Sequence, residues 1–209
     1  MNKEIRAFNF EIRANENEER GQYIEGRAIV FNERTDLGWY DEIIDSGALK
    51  DTDLRDVRLL VNHNVDMIPL ARSRNNTENS TLKLSVVEEE GLDIRANLDT
   101  ENNADAKSLY SAIDRGDITG MSFMFAVNED AWEDIDTDHP TRHIRSIAKV
   151  FEVSAVTFPA YEQTSIATRG LSSALDSARE SLENEKAKRN AIERKKKKIK
   201  ILTEVNNGF

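Results

Sequence analysis

The stretch ITGMSFMFAV, Ile118 to Val127, is an apolar run that contains one serine. Side chains alternate between the two faces of a β-strand. The run therefore predicts a strand with one fully apolar face, which is made of Met121, Phe123, Phe125 and Val127. Ser122 lies on the other face with Met124 and Ala126. Its hydroxyl is either a polar group tolerated on a half-buried strand or a group that does chemistry.

Most of the chain around this run also predicts strands. Short or alternating apolar stretches occur in IRAFNFEIRA, YIEGRAIVFN, VRLLVNH, MIPLARS, STLKLSVV, LDIRANL and HIRSIAKVFEVSAVTFPAY. The polar residues 88–91 between two of these stretches predict a hairpin. NADAKSLYSAIDRGD has apolar residues at helical spacing and a glycine that suits the end of a helix. The sequence therefore predicts an α+β, β-rich fold with few helices.

The charge of the chain changes near Gly170. Residues 1–170 carry 19 basic and 33 acidic side chains, whereas residues 171–209 carry 10 basic and 6 acidic ones. The second segment has only a narrow helical stripe of apolar side chains, so we expect a helix that is exposed or that waits for a partner. We predict a domain over residues 1–170 and a basic, partly helical arm over residues 171–209.

Composition excludes several classes of protein. The chain has 209 residues and no cysteine, which excludes disulfides, thiolate nucleophiles and sulfur-ligated metals. Its net charge of -10 argues against general binding of nucleic acid. No apolar run approaches a membrane-spanning length, and MNKEIRAFNF lacks the apolar core of a secretion signal. We therefore expect an intracellular protein with neither a membrane nor a specific nucleic acid as partner.

A serine nucleophile needs a base within hydrogen-bond reach, and the base is usually histidine. The chain has three histidines. His63 ends the apolar stretch VRLLVNH, where a strand would deliver it to the mouth of a site. His139 and His143 lie in the polar segment DIDTDHPTRH, in which Pro140 indicates a turn. His63 is therefore the first candidate for a base that serves Ser122.

A third candidate is Glu152, within the apolar stretch KVFEVSAVTFPAY. A lone carboxylate in an apolar strand costs several kcal/mol unless it is paired or hydrogen-bonded. Glu152 either lies on a solvated face or pairs with Lys149, or else it orients a histidine as the acid of a triad does. Both interpretations stay open on these residues alone.

The alternating acids Asp134, Asp136 and Asp138 suggest a calcium loop, but the detail does not fit. His139 occupies the position where that loop needs glycine, and Arg145 occupies the position of its bidentate glutamate. Pro140 also disfavours a helix that would align the two nearby histidines on a metal. We therefore predict no metal and no cofactor.

The order of the candidates along the chain is His63, Ser122, Glu152. This order differs from the three familiar orders of serine hydrolases, and Met124 stands where the second glycine of a nucleophile elbow belongs. A serine presented by a β-strand is needed instead. No deep apolar substrate pocket is indicated, so a hydrolase of small esters is the weaker interpretation.

Three stretches together resemble the tailed-phage prohead (capsid maturation) proteases, proposed relatives of the herpesvirus assemblin proteases. They are LLVNHNVDMIPLARS, GDITGMSFMFAV and EVSAVTFPAY, in this order and spacing. IEGRAIVFNERTDLGWYDEIIDSGAL is similar to the N-terminal segment of that family. The resemblance covers most of residues 5–170. It implies an antiparallel, β-barrel-like core of the assemblin type.

The resemblance also implies an activity and a set of site residues. Ser122 would be the nucleophile and His63 the general base, with Glu152 as the third member and His143 or Asp66 as competitors for that place. The implied function is a serine endopeptidase that processes capsid and scaffold proteins inside the immature prohead in the host cytoplasm. Dimers or other homo-oligomers are expected, and so is removal of the arm by self-cleavage.

Two departures from the family pattern keep a second interpretation open. Met124 stands where a glycine commonly follows the serine-phenylalanine pair. The stretch Pro159-Ala160-Tyr161 lacks the arginine with which assemblin relatives stabilise the oxyanion, so backbone N–H groups are expected to do this. If the site has lost its catalytic activity, the chain is a catalytically silent scaffold or capsid-assembly protein with the same fold.

Overall fold

The computed structural model describes residues 3–8, 12–17, 21–158 and 167–206. These residues form two α-helices, α1 (Ala104–Asp114) and α2 (Ala167–Asn206), with a 3₁₀ turn at Arg74–Asn76. Their strands are β1 (Glu4–Phe8), β2 (Ile12–Asn17), β3 (Gly21–Val30), β4 (Thr35–Asp36), β5 (Asp41–Ile44), β6 (Arg58–Val61), β7 (Ala71–Arg72), β8 (Leu82–Val87), β9 (Gly91–Asn97), β10 (Gly120–Glu133) and β11 (Thr141–Val156).

The strands form two sheets. In the seven-stranded sheet the order is β1-β10-β11-β5-β4, and β6 also pairs with β11 and with β7. The long hairpin of β10 and β11 is antiparallel, while β5 and β6 run parallel to the two ends of β11. The second sheet is antiparallel, with four strands in the order β2-β3-β9-β8. The β10–β11 hairpin is therefore the centre of the larger sheet.

The main core contains one face of β10. Met121, Phe123 and Phe125 are fully buried in the core cluster, and the two phenylalanine rings lie 4.7 Å apart. They belong to the same cluster as Ile24 of β3 and Leu92 of β9, from the second sheet. The alternation predicted for this run is confirmed. Burying the apolar face fixes the register of the strand, because a slip of one residue would turn Phe123 outward.

The predicted α+β, β-rich class is confirmed, and so are α1 and the β8–β9 hairpin. The prediction of a wholly antiparallel core is wrong for β5 and β6. Both strands reach β11 through long connections, which permit parallel pairing. In the part of the chain that the structure describes, the two sheets do not close into a barrel. An assemblin-type fold stays a prediction.

The alternating stretch IRAFNFEIRA is shared between two strands of different sheets. Its first part belongs to β1, which pairs with β10, and its last part belongs to β2, which pairs with β3 in the other sheet. Each part obeys the alternation of a strand, so local pattern alone gave no signal that the chain changes sheets. The pairing partner of a strand depends on residues distant in sequence, and the periodicity of the strand does not reveal it.

A cluster of buried charges joins β1, β5 and β11. Arg6 Nη2 lies 2.6 Å from Glu42 Oε2 and 2.7 Å from Glu4 Oε2. Arg142 Nη1 donates to the same glutamates, at 2.9 Å to Glu4 and 3.2 Å to Glu42, and its Nε lies 2.7 Å from Asp130 Oδ2. The arginines and glutamates of the cluster are nearly inaccessible. Such charges are tolerated only when each has a partner.

The cluster shifts the ionisation of its members. Burial raises the pKa of Glu4, but the positive charges of Arg6 and Arg142 outweigh burial and hold that pKa below its usual value. Burial likewise works against the charged form of Arg6, but Glu42 outweighs it and raises the pKa of the guanidinium. Both shifts favour the charged forms, so Glu4 and Arg6 are ionised near neutral pH.

Helix α2 packs against this cluster with its first half. Ala174, Ala178 and Leu182 are buried, while Ser177 Oγ donates to Glu4 at 3.0 Å and Ser181 Oγ to Asp130 at 2.8 Å. The expectation of an exposed or partner-seeking helix is wrong for this half. Ala178 and Leu182 of the narrow predicted stripe are buried, and the small residues beside them, Ala174, Ser177 and Ser181, extend the packed face. A boundary near residue 170 stays a prediction.

The second half of α2 differs from the first. Ile192 and Ile199 are 53% and 64% exposed, and Lys195–Lys198 lie on exposed helix. Among the described residues, no helix is apolar enough over a sufficient length to cross a membrane.

We expect Glu42→Ala to lower the free energy of unfolding by about 3–5 kcal/mol, because it leaves Arg6 and Arg142 buried with too few partners. Urea unfolding at neutral pH measures the change. Glu90→Ala is the matched control, since Glu90 pairs with Arg27 at the surface and should cost at most about 1 kcal/mol. Equal effects of the two substitutions would show that the buried cluster is not a special source of stability.

The lowered pKa of Glu4 predicts a loss of stability in acid. Its contribution is complete above the unfolded pKa near 4.5 and disappears as the pH falls through the lower folded value. In urea unfolding from pH 6 down to pH 3, the difference between the wild type and Glu4→Gln should shrink as the solution becomes more acidic. A difference that stays constant or grows would contradict the assignment.

Candidate active site

The position of His63 is set by the end of β6. The N–H of Asn62 donates to the Ala155 carbonyl of β11 at 3.0 Å. The side chain of Asn62 is held by Thr157, since Nδ2 donates to Oγ1 at 3.0 Å and Oδ1 accepts the Thr157 N–H at 2.9 Å. Asn62 and His63 both adopt left-handed backbone angles, with φ of 50° and 56°. This turn directs the imidazole back over β11 and β10.

His63 contacts both other candidates. Its Nε2 lies 2.6 Å from Ser122 Oγ, and its Nδ1 lies 2.6 Å from Glu152 Oε1. Ser122 is fully buried, Glu152 is 3% exposed, and the His63 side chain is 16% exposed. The structure thus brings together the three residues that the sequence singled out.

Strand register explains how the serine and the glutamate meet one imidazole. In the β10–β11 ladder Ser122 is opposite Ser154, and Met124 is opposite Glu152. Glu152 is therefore a diagonal neighbour of Ser122, on the same face of the sheet. Such neighbours are far enough apart for an imidazole ring to fit between them.

The pairing of Nδ1 with a carboxylate decides the tautomer of a neutral His63. An ionised carboxylate can only accept a hydrogen bond, so Nδ1 carries the proton and donates a hydrogen bond to Glu152. The lone pair of Nε2 then faces the hydroxyl of Ser122. This is the arrangement in which a histidine can take a proton from serine.

Ser122 has a second acceptor within reach. Its Oγ lies 2.7 Å from the backbone carbonyl oxygen of Arg6, on the neighbouring strand β1. One hydroxyl proton can point to the Arg6 carbonyl or to His63 Nε2, but not fully to both. Transfer of the proton to His63 therefore needs the hydroxyl to turn away from β1.

Sequence reasoning missed Ser154, which touches two members of the group. Its Oγ donates to Glu152 Oε2 at 2.5 Å and accepts the backbone N–H of His63 at 3.2 Å. Ser154 is fully buried. A signal was present in the sequence, because Ser154 lies two residues after Glu152 and so on the same face of the strand.

The competitors for the third position lie elsewhere. His143 Nδ1 is 2.8 Å from Asp45 Oδ1, and His143 pairs with Ala131 near the far end of the β10–β11 hairpin. Asp66 is exposed, with its N–H donating to the Asn64 side chain. Glu152 is the carboxylate that meets His63.

His139 lies in a separate group. Its Nε2 is 3.0 Å from Asp41 Oδ1, and Asp36, Asp41 and His139 each offer one ligand atom, all within 4.8 Å of one another. Arg34 occupies the other oxygen of Asp41 at 2.7 Å. The group is largely exposed and far along the hairpin from Ser122. The stretch Pro159-Ala160-Tyr161, considered for the oxyanion, lies outside the described residues.

Comparison with known proteins identifies the family of the chain. Residues 8–177 match the family described as the caudovirus prohead serine protease. The chain belongs to this family. It is 32% identical to the prohead protease of Enterobacteria phage HK97 over 146 residues, which cover 68% of this chain and 58% of that protein. The chain thus spans less than two thirds of the length of this prohead protease.

Among solved structures, the chain resembles the bacteriophage T4 capsid assembly protease at 13% identity. That match has a TM-score of 0.33 and covers 73% of this chain and 98% of the T4 chain.

The turn that carries His63 can be tested through Asn62. We expect Asn62→Ala to cost about 2–3 kcal/mol in the free energy of unfolding, because it combines a left-handed alanine with the loss of two hydrogen bonds. Asn62→Gly is the matched control, since glycine accepts the left-handed angle and loses only the hydrogen bonds. Urea unfolding should rank wild type, Asn62→Gly and Asn62→Ala in falling stability. A reversed order of the two variants would contradict the argument.

Proposed function

We propose that this prohead protease family member is a serine endopeptidase that cleaves capsid and scaffold proteins inside the immature prohead. The observation that carries the proposal is the pair of 2.6 Å contacts of His63, one to Ser122 Oγ and one to Glu152 Oε1. Both contacts lie in a largely buried site, where hydrogen bonds to charged groups are stronger than in water.

In the proposed reaction Ser122 Oγ attacks the carbonyl carbon of a peptide bond while its proton passes to His63 Nε2. The tetrahedral intermediate collapses as the C–N bond breaks, and the leaving amine takes the proton from His63. Water then attacks the acyl-serine, giving one proton to His63. Release of the acid returns that proton to Ser122.

Glu152 stabilises the imidazolium that forms in each step and keeps Nδ1–H directed toward itself. Its low exposure makes this effect strong, since little water screens the charge. Backbone N–H groups are proposed to stabilise the oxyanion, an effect whose loss typically costs about 2.7–4 kcal/mol of barrier lowering.

Access to Ser122 is a requirement of this proposal. Ser122 is fully buried. A peptide carbonyl therefore reaches Oγ only when the protein groups that cover Oγ move. The hydrogen bond to the Arg6 carbonyl must also yield. Both features suit a protease that is held at low activity until assembly.

Capsid and scaffold proteins are the proposed substrates, and the site of action is the assembling prohead in the host cell. We also propose self-cleavage that removes the arm, residues 171–209, and action as a dimer or other homo-oligomer. The docking of α2 on Glu4 and Asp130 means that removal of the arm would uncover part of the buried charge cluster.

Ser122→Ala should abolish processing without unfolding the chain, because it removes the nucleophile and leaves His63 and Glu152 paired. Intact mass of wild type and variant, alone and mixed with capsid and scaffold proteins, measures the cleavage. Loss of mass in the wild-type samples only is the expected result. Full-length chains in every sample, with no reaction toward a phosphonate probe, would favour a silent scaffold protein. Turnover of a small ester without peptide cleavage would point to a generic hydrolase.

Glu152→Gln should reduce the cleavage rate by about 10³–10⁴-fold while the fold persists. The neutral amide can donate to Nδ1, which favours the tautomer with Nε2–H facing Ser122 and so removes the base. Cleavage of the capsid protein under single-turnover conditions measures the loss. Arg145 is exposed on the same strand as Glu152 and lies outside the site, so Arg145→Gln is the control. An equal loss in both variants would show that Glu152 acts only through stability.

A further inference from the structure

Ser154 forms a bridge between the base and the acid of the site. Its hydroxyl donates to Glu152 Oε2 at 2.5 Å, the carboxylate oxygen that does not contact His63. The same oxygen of Ser154 accepts the N–H of His63 at 3.2 Å. Ser154 therefore holds the Glu152 side chain and the His63 backbone at once.

Both ends of the bridge have a physical consequence. A carboxylate that accepts one hydrogen bond at each oxygen cannot rotate without breaking one of them, so its orientation toward Nδ1 is fixed. The N–H of His63 belongs to a residue with a left-handed φ of 56°, outside the regular ladder of β6. Without the Ser154 oxygen, this part-buried donor would lose the partner that anchors the turn.

We propose that Ser154 is a positioning residue that fixes the tautomer and the orientation of His63 toward Ser122. The proposal deepens the proposed protease function, on which its catalytic meaning rests. Ser154 acts through Glu152 and through the His63 backbone. Ser122 and Ser154 pair directly in the β10–β11 ladder, so the same register that aligns the strands sets the bridge.

A serine on a strand can also be a simple packing residue that fits the available volume. Four variants separate the two roles. Ser154→Ala removes the hydroxyl, Ser154→Thr keeps it, and Ser154→Cys keeps the volume but donates weakly. Ser146→Ala is the control on the same strand, where the serine accepts a hydrogen bond from Asn128 at 3.3 Å away from the site.

The first measurement does not need activity. Nitrogen-15 chemical shifts of the His63 ring in the full chain report which ring nitrogen carries the proton at a pH where the imidazole is neutral. In the wild type, Ser154→Thr and Ser146→Ala, the proton should lie on Nδ1. In Ser154→Ala and Ser154→Cys the two nitrogen shifts should move toward each other, as the Nδ1–H form loses its fixed acceptor.

The second measurement is the rate at which a small fluorophosphonate modifies Ser122, followed by intact mass. Ser154→Ala and Ser154→Cys should lower the limiting rate by about tenfold, the factor expected for a lost hydrogen bond to a charged group. The half-saturating probe concentration should stay unchanged, because Ser154 does not touch the probe. Ser154→Thr should restore the rate, and circular dichroism checks that each variant is folded.

The two measurements test the positioning role of Ser154 separately from the proposed protease activity. Unchanged ring shifts in folded Ser154→Ala would overturn the positioning role, whether or not the chain is a protease. Changed shifts together with a wild type that never reacts with the probe would support the positioning role and count against the proposed protease. If Ser154→Thr is unfolded, the comparison of Ser154→Cys with wild type decides, since a normal tautomer in Ser154→Cys would leave only a packing role.

Discussion

The antiparallel pairing of β10 with β11 is the interaction on which the rest of the structure depends. Its alternation sends Phe123 and Phe125 into the core and leaves Ser122 and Glu152 together on the opposite face. Burial of Phe123 and Phe125 fixes the register of β10. A slip of one residue would put the Ser122 face of the strand where the two phenylalanines now lie. A site built on such strands is more rigid than one built on loops.

The hairpin also links the site to both ends of the chain. On one side β1 pairs with β10, and its Arg6 offers a carbonyl to Ser122 while its guanidinium lies in the buried charge cluster. Helix α2 reaches the same cluster through Ser177. A change at the arm is therefore connected by direct contacts to β1, the strand whose Arg6 carbonyl contacts Ser122.

Some features could be predicted from local pattern and others could not. The strand of Ser122, helix α1 and the β8–β9 hairpin follow from periodicity and turn residues, which are local properties. The parallel pairing of β5 and β6 with β11 could not be predicted, because pairing partners depend on the whole chain. The buried cluster of Arg6 and Arg142 was also invisible, since charged residues in a strand predict a solvated face.

The sequence by itself determined the strand-rich class and the family resemblance, and it singled out His63, Ser122 and Glu152 as candidates. Few histidines and no cysteines leave few chemical choices for a base and a nucleophile, and the family resemblance then favoured His63 and Ser122. Only the tertiary structure decided that Glu152, rather than His143 or Asp66, meets His63, and that Ser154 bridges them. Those contacts join residues about 90 positions apart, and their distances are set by strand register and by the left-handed turn at Asn62.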